Sequence, residues 1–165
     1  MNLDRTPGVP HKGWQLDDVI DLRLDKGRHY GEYAICEFCG KEQIRFVHLL
    51  SHVAYPTAIR VGCVCCERLT EDYITPRQRE SQLRTRAARR ERWLDGIWKI
   101  SRKGNEYRKT RDGHHVVVFS VGRGRFKCRI DGVLGTLVYD SSNEAKVRIF
   151  DVLEKRRMVN KEKTP

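Results

Sequence analysis

Residues 35–69, ICEFCGKEQIRFVHLLSHVAYPTAIRVGCVCCERL, hold five of the six cysteines in two groups separated by β-branched and aromatic sequence. Cys36 and Cys39 have C-x2-C spacing with Gly40 directly after, so one tight turn can aim two thiolates at a tetrahedral ion about 2.3 Å away. Cys63 and Cys66 repeat the spacing, and Cys65 stands between them as an alternative ligand. Five thiols at these intervals are more than small buried apolar residues. With no secretory-type apolar segment at the start, a disulfide framework is not expected either. The spacing therefore predicts one Zn2+ held by Cys36, Cys39, Cys63 and either Cys66 or Cys65, in a chain working in a reducing cytoplasm. Four thiolates leave no position for water, which is the pattern of a structural site.

Between the groups, residues 43–49 and 57–61 read as two strands, with Pro56 and its neighbours marking the bend. Helix-favouring sequence follows Cys63. The order knuckle, hairpin, knuckle at a helix start resembles the treble-clef zinc finger, and the resemblance implies a module that needs its metal to fold. His48, on the first hairpin strand, is similar in position to the general-base histidine of HNH-type nucleases. Val47 precedes it where that family carries Asp or Glu, and no Asn lies between Cys36 and Cys66. His48 is thus the one catalytic candidate, in a sequence without the family's second metal-binding histidine. His48 and His52 have H-x3-H spacing, but on strand and turn sequence rather than on the helix of a C2H2 finger.

Across 165 residues, 39% of them apolar, no hydrophobic run is long enough to cross a bilayer, so no membrane partner is expected. The net charge of +11 is unevenly distributed. Residues 1–73 carry 9 Lys+Arg against 11 Asp+Glu, a net −2, whereas residues 74–165 carry 24 against 11, a net +13. A zinc tetrathiolate adds further negative charge to the first half. Any contact with a polyanion falls to the second, and nucleic acid is the expected partner.

Residues 1–13 contain two prolines and two glycines and read as a mobile lead. Residues 14–24 are read as a short helix or irregular segment that buries Trp14, and residues 30–35 as a short strand. Thr75-Pro76 is a helix start, and Gly104-Asn105 a helix end. Between them Leu83, Ala87, Leu94, Ile97 and Trp98 form a narrow apolar stripe. The same helix carries Arg77, Arg79, Arg84, Arg86, Arg89, Arg90 and Arg92, opposed locally only by Glu80 and Glu91. Like charges at i,i+4 repel, and phosphate relieves the repulsion, which makes Arg79, Arg86 and Arg90 candidate phosphate contacts. Trp93 and Trp98 are read as packing residues.

Residues 115–121, 125–130 and 135–139 read as three strands divided by Gly122-Arg123-Gly124 and Asp131-Gly132. Ser141 or Ser142 caps a helix over 143–158. Along 125–130 the period of two puts Phe126, Cys128 and Ile130 on an apolar face and Arg125, Lys127 and Arg129 on a cationic one. Cys128 is then a core thiol, and the three cations are candidate nucleic-acid contacts. Three strands, a helix and a basic face over residues 107–155 resemble the AP2/ERF-like and integrase arm-binding modules, a likeness that implies strands entering the DNA major groove.

The expected architecture is α+β. It comprises a small treble-clef-like zinc module (1–74), a long Arg-rich helix and linker (75–104), a C-terminal three-stranded antiparallel sheet with one helix (105–159), and a disordered tail (160–165). The expected function is that of a zinc-containing nucleic-acid-binding protein, DNA favoured over RNA, in DNA processing, regulation or interference with a nucleic-acid machine. Two alternatives are an adaptor or phage-type inhibitor that binds an acidic protein surface, and a divergent HNH-like nuclease.

Overall fold

The computed structural model describes residues 2–23 and 33–162, with the side chains of the last three of these excepted. The readings for residues 24 and 30–32 and for the end of the tail lie outside that range. The chain is mixed α+β and divides into two compact units, Met1–Ala87 and Ala88–Pro165.

In the first unit, β1 (Gln15–Asp21), β4 (Phe46–His52) and β5 (Tyr55–Val61) form an antiparallel sheet in the order β1-β4-β5. Residues 14–24 were expected as a helix or irregular segment, but alternate apolar positions put Leu16 opposite Leu50 and Ile20 opposite Val47 in a β1–β4 ladder. Central β4 is covered on both faces: Val47, His48 and Leu50 are all buried. The hairpin turn falls at Val53-Ala54, and Pro56 lies inside edge strand β5, where a missing N–H costs the ladder nothing. A ribbon of β2 (Ala34–Ile35) and β3 (Gln43–Ile44) encloses the Cys36–Gly40 turn. Helix α1 (Cys63–Thr70) follows β5 after one residue, Gly62.

Residues 2–13 are not a mobile lead. Leu3 and Val9 are buried in the core of the first unit, and the N–H groups of Leu3 and Asp4 donate to the carbonyls of Glu37 and Phe38 at 3.0 Å. Trp14 is a packing residue, buried against His52 and Tyr55, with Nε1 donating to Pro10 O at 2.8 Å.

Helix α2 (Thr75–Leu94) ends ten residues before Gly104. Asp72 accepts the N–H groups of Ile74 and Thr75 at 2.9 Å and fixes its start. Of the residues expected to continue it, Lys99–Ile100 form strand β6, leaving Ile97 86% exposed and off the apolar stripe, and Glu106–Lys109, beyond the expected helix end, form β7. With β8 (His115–Gly122), β9 (Arg125–Ile130) and β10 (Val133–Leu134) they make a five-stranded antiparallel meander, order β10-β9-β8-β7-β6, in place of the three expected strands. Arg123 and Gly124, then Asp131 and Gly132, take positive φ and form two-residue turns whose twist matches the strands they join. The third strand is Val133–Leu134 rather than 135–139, of which Tyr139 alone bridges back to Phe126.

Helix α3 (Ser142–Glu162) is capped by Ser141, whose Oγ accepts Glu144 N–H at 3.1 Å, and it continues past residue 160 into the expected tail. Val116, Val118, Cys128, Ile130, Ala145, Ile149 and Leu153 form the core between sheet and helix. Trp93 and Trp98, edge to face at 5.2 Å, pack against it.

Candidate metal centres and a cationic sheet face

The knuckle is built by its neighbours. Gly40 closes the turn, donating N–H to Cys36 O at 2.8 Å with φ 68°, a conformation that costs glycine little. Glu37 reaches across to β5, where Oε2 accepts Arg60 N–H at 2.7 Å and Oε1 accepts Arg60 Nε at 2.9 Å. Phe38 is buried under the N-terminal segment. The turn is thereby fixed against the strand that runs into α1.

At that junction the donor atoms of Cys36, Cys39 and Cys65 lie within 4.8 Å of one another. Zinc–sulfur bonds of about 2.3 Å at tetrahedral angles require sulfurs roughly 3.8 Å apart, so small rotamer changes suffice to close the three thiols around one ion. The Cys36 thiol lies well below its ordinary pKa, because the Cys65 thiol donates to it and the N–H groups of Cys39, Gly62 and Phe38 also point at it. Gly62 N stands 3.5 Å from the Cys36 sulfur. Cys65 is pushed up by the same Cys36 partner. The donor set therefore fits a thiophilic ion such as Zn2+.

Cys63 and Cys66 are not part of this group. Helical residues advance by about 100°, so in α1 Cys63 and Cys66 share one face and Cys65 lies on another. The knuckle meets the Cys65 face. Cys66 is fully buried in the core, and burial pushes its thiol up to about 12. Gly62, directly before α1, is closely packed: a Cβ there would lie 2.7 Å from Glu42 Oε2 and 2.9 Å from Ile44 Cγ2.

Cys63 instead joins His48 and Glu80, whose donor atoms also lie within 4.8 Å of one another. His48 is fully buried. Its Nε2 is 3.4 Å from Pro76 O and 3.9 Å from Glu80 Oε2, and its Nδ1 has no hydrogen-bond partner among the described residues. Burial lowers the His48 pKa, so the ring is neutral at pH 7. Burial, followed by the charges of Glu80 and Glu67, pushes the Cys63 thiol up to about 12. That is the reverse of an activated nucleophile. Cys63 and Glu80 line a cleft of about 410 Å³ together with Arg45, Phe46 and Arg84.

The arginine run is partly consumed within the chain. Arg77 pairs with buried Glu67, Arg84 with Glu80 at 2.5 Å, and Arg89 with Glu154. Of the three candidate phosphate contacts, exposed Arg79 points Nη1 at Asp17 O at 3.5 Å, Arg86 has a partner, and Arg90 is half-buried. For Arg77 and Arg89 the counter-charges, Glu67 and Glu154, lie outside the run, where local spacing did not reveal them.

In the second unit the face of the sheet opposite α3 is cationic. Cross-strand register aligns Lys99 with Tyr107, Tyr107 with Val117, Val117 with Arg129, and Phe119 with Lys127. Arg125, Lys109 and His115 share this face, and no strand residue on it is acidic. Arg129 lies 5.9 Å from the Phe119 ring. Cys128 faces the core, as its alternation with the cations implied.

Comparison with protein-family models, with curated proteins and with solved structures returned no match.

Proposed function

We propose that the chain is a metal-stabilised nucleic-acid-binding protein, in which Cys36, Cys39 and Cys65 hold Zn2+ and the outer face of the five-stranded sheet contacts the polyanion. The observation that carries the binding reading is the composition of that face: Lys99, Lys109, Arg125, Lys127 and Arg129 around Tyr107 and Phe119, with no acidic strand residue among them. Cations spread over a sheet match phosphates spaced along a backbone, and the half-buried rings between them offer surfaces for bases or sugars.

Support for zinc comes from three thiols converging from a turn and a helix start, with N–H groups aimed at one sulfur. The order of turn, β4–β5 hairpin and α1 supports the treble-clef reading. All six cysteines are free, which suits a reducing cytoplasm, and no helix among the described residues is long and apolar enough to cross a membrane. A general-base role for His48 has no support in its placement, since a fully buried ring cannot reach a water beside a phosphodiester.

The test is a binding panel of single-stranded DNA, duplex DNA and RNA over a salt series, with and without Mg2+. Duplex DNA bound with a steep loss of affinity as salt rises is the expected result. Binding to none of the three, together with capture of an acidic protein, would replace this reading with the adaptor.

A further inference from the structure

We propose that His48, Cys63 and Glu80 form a second metal site, separate from the three-thiol cluster, that takes a borderline divalent ion of the Zn2+ or Co2+ class and keeps one coordination position open to the cleft. The three residues come from three elements. His48 is in the centre of β4, Cys63 is the first residue of α1, and Glu80 is in the second turn of α2. Only the packing of the first unit brings their nitrogen, sulfur and oxygen donors within 4.8 Å of one another.

Two further observations point to a ligand. Nε2 of the fully buried His48 ring faces Glu80 Oε2 at 3.9 Å, and its hydrogen-bond contact to Pro76 O is a long one of 3.4 Å. Buried polar groups are nearly always satisfied, and an ion is one of the few things that explains an exception. The site is also open on one side, because Cys63 and Glu80 both line the 410 Å³ cleft whereas His48 is sealed behind them.

The donor set selects the ion. Imidazole and thiolate together favour Zn2+ or Co2+ over Mg2+ or Ca2+, which prefer an all-oxygen shell. Bonds of about 2.0–2.3 Å place tetrahedral donors roughly 3.3–3.8 Å apart, within reach of the observed separations. Three protein ligands and a free position facing a cleft are the arrangement of zinc sites that bind water or an anionic oxygen, unlike a closed tetrathiolate.

The experiment uses the full chain, stripped of metal and titrated with Co2+, with native mass spectrometry for stoichiometry and visible absorption for ligand type. Wild type should bind two equivalents. Cys63→Ala and Glu80→Gln should each bind one, with the affinity of the second site reduced more than about tenfold, the least expected for a direct ligand given what outer-shell changes cost. Glu80→Gln keeps an acceptor for Arg84, so it tests the ligand without removing the i,i+4 pair. Cys65→Ser should lose the sulfur-rich equivalent and retain the other, which separates failure of this site from failure of the three-thiol site. One equivalent in wild type, two equivalents surviving in both Cys63→Ala and Glu80→Gln, or loss of both equivalents from both variants would each overturn the proposal.

Discussion

At the scale of single residues, the sharpest distinction is between adjacent cysteines. Cys65 faces the knuckle and Cys66 the core, so the same serine substitution should act differently at the two positions. Cys65→Ser should weaken zinc binding by more than about 100-fold, beyond what changes outside the first coordination shell cost. Cys66→Ser should keep full stoichiometry and lose stability, because it buries a hydroxyl in apolar surroundings. Zinc content by mass spectrometry beside a denaturation curve reads both effects. The spacing pointed to converging thiols, with Cys63 and either Cys66 or Cys65 beside the knuckle pair, but which neighbour meets the knuckle depends on the rotation of α1 about its axis, which spacing does not carry. Gly62→Ala should destabilise the metal-loaded protein by about 1–3 kcal/mol, the usual cost of overpacking, measured as a fall in the denaturant midpoint.

Between elements, the sheet of the second unit is tied to α3 by a largely buried ion pair, Lys146 Nζ to Glu106 Oε1 at 2.5 Å, with Ser142 also donating to Glu106. Burial opposes the Glu106 charge, but Lys146 and Ser142 outweigh it and hold the carboxyl below its ordinary range. A carboxyl depressed in the folded state stabilises above its unfolded pKa of about 4.3, and that stability is lost as pH falls through the lower folded value. Glu106→Gln should therefore cost on the order of 2–3 kcal/mol at pH 7, less than a fully buried pair because a quarter of Glu106 is exposed. The difference from wild type should shrink in urea melts below about pH 4.

The elements were unevenly legible in the sequence. Strands β8 and β9 were readable because alternation and Gly turns agree, and α3 because a cap precedes a period of 3.6. Lys99–Ile100 was not, because two residues inside the expected span of an arginine helix carry no strand signal of their own, and Glu106–Lys109 was not, because a short charged strand declares itself only when β8 pairs with it. The helix arginines likewise looked free because their partners, Glu67 and Glu154, lie outside the run. Arg77→Ala should thus lower stability and leave nucleic-acid affinity within about twofold, since its guanidinium is committed to a carboxylate, a difference that paired melting and binding curves would reveal.

For the whole molecule, the three-thiol cluster and the cationic sheet face belong to different units, so the proposed metal and nucleic-acid roles can be tested apart. Chelation should abolish amide protection in β1, β4, β5 and α1 while β7, β8, β9 and α3 keep theirs, because a module held by a metal loses its folding free energy with the ion. Hydrogen exchange followed by mass spectrometry resolves the two sets. The most direct test of the central claim is the salt dependence of duplex DNA affinity for wild type and for the Arg125→Ala, Lys127→Ala, Arg129→Ala triple variant, measured by fluorescence anisotropy. Each phosphate neutralised contributes about −0.9 to the slope of log K against log salt, so the account predicts a weaker complex whose slope is flatter by roughly two to three. A folded triple variant with unchanged affinity and unchanged slope would contradict it.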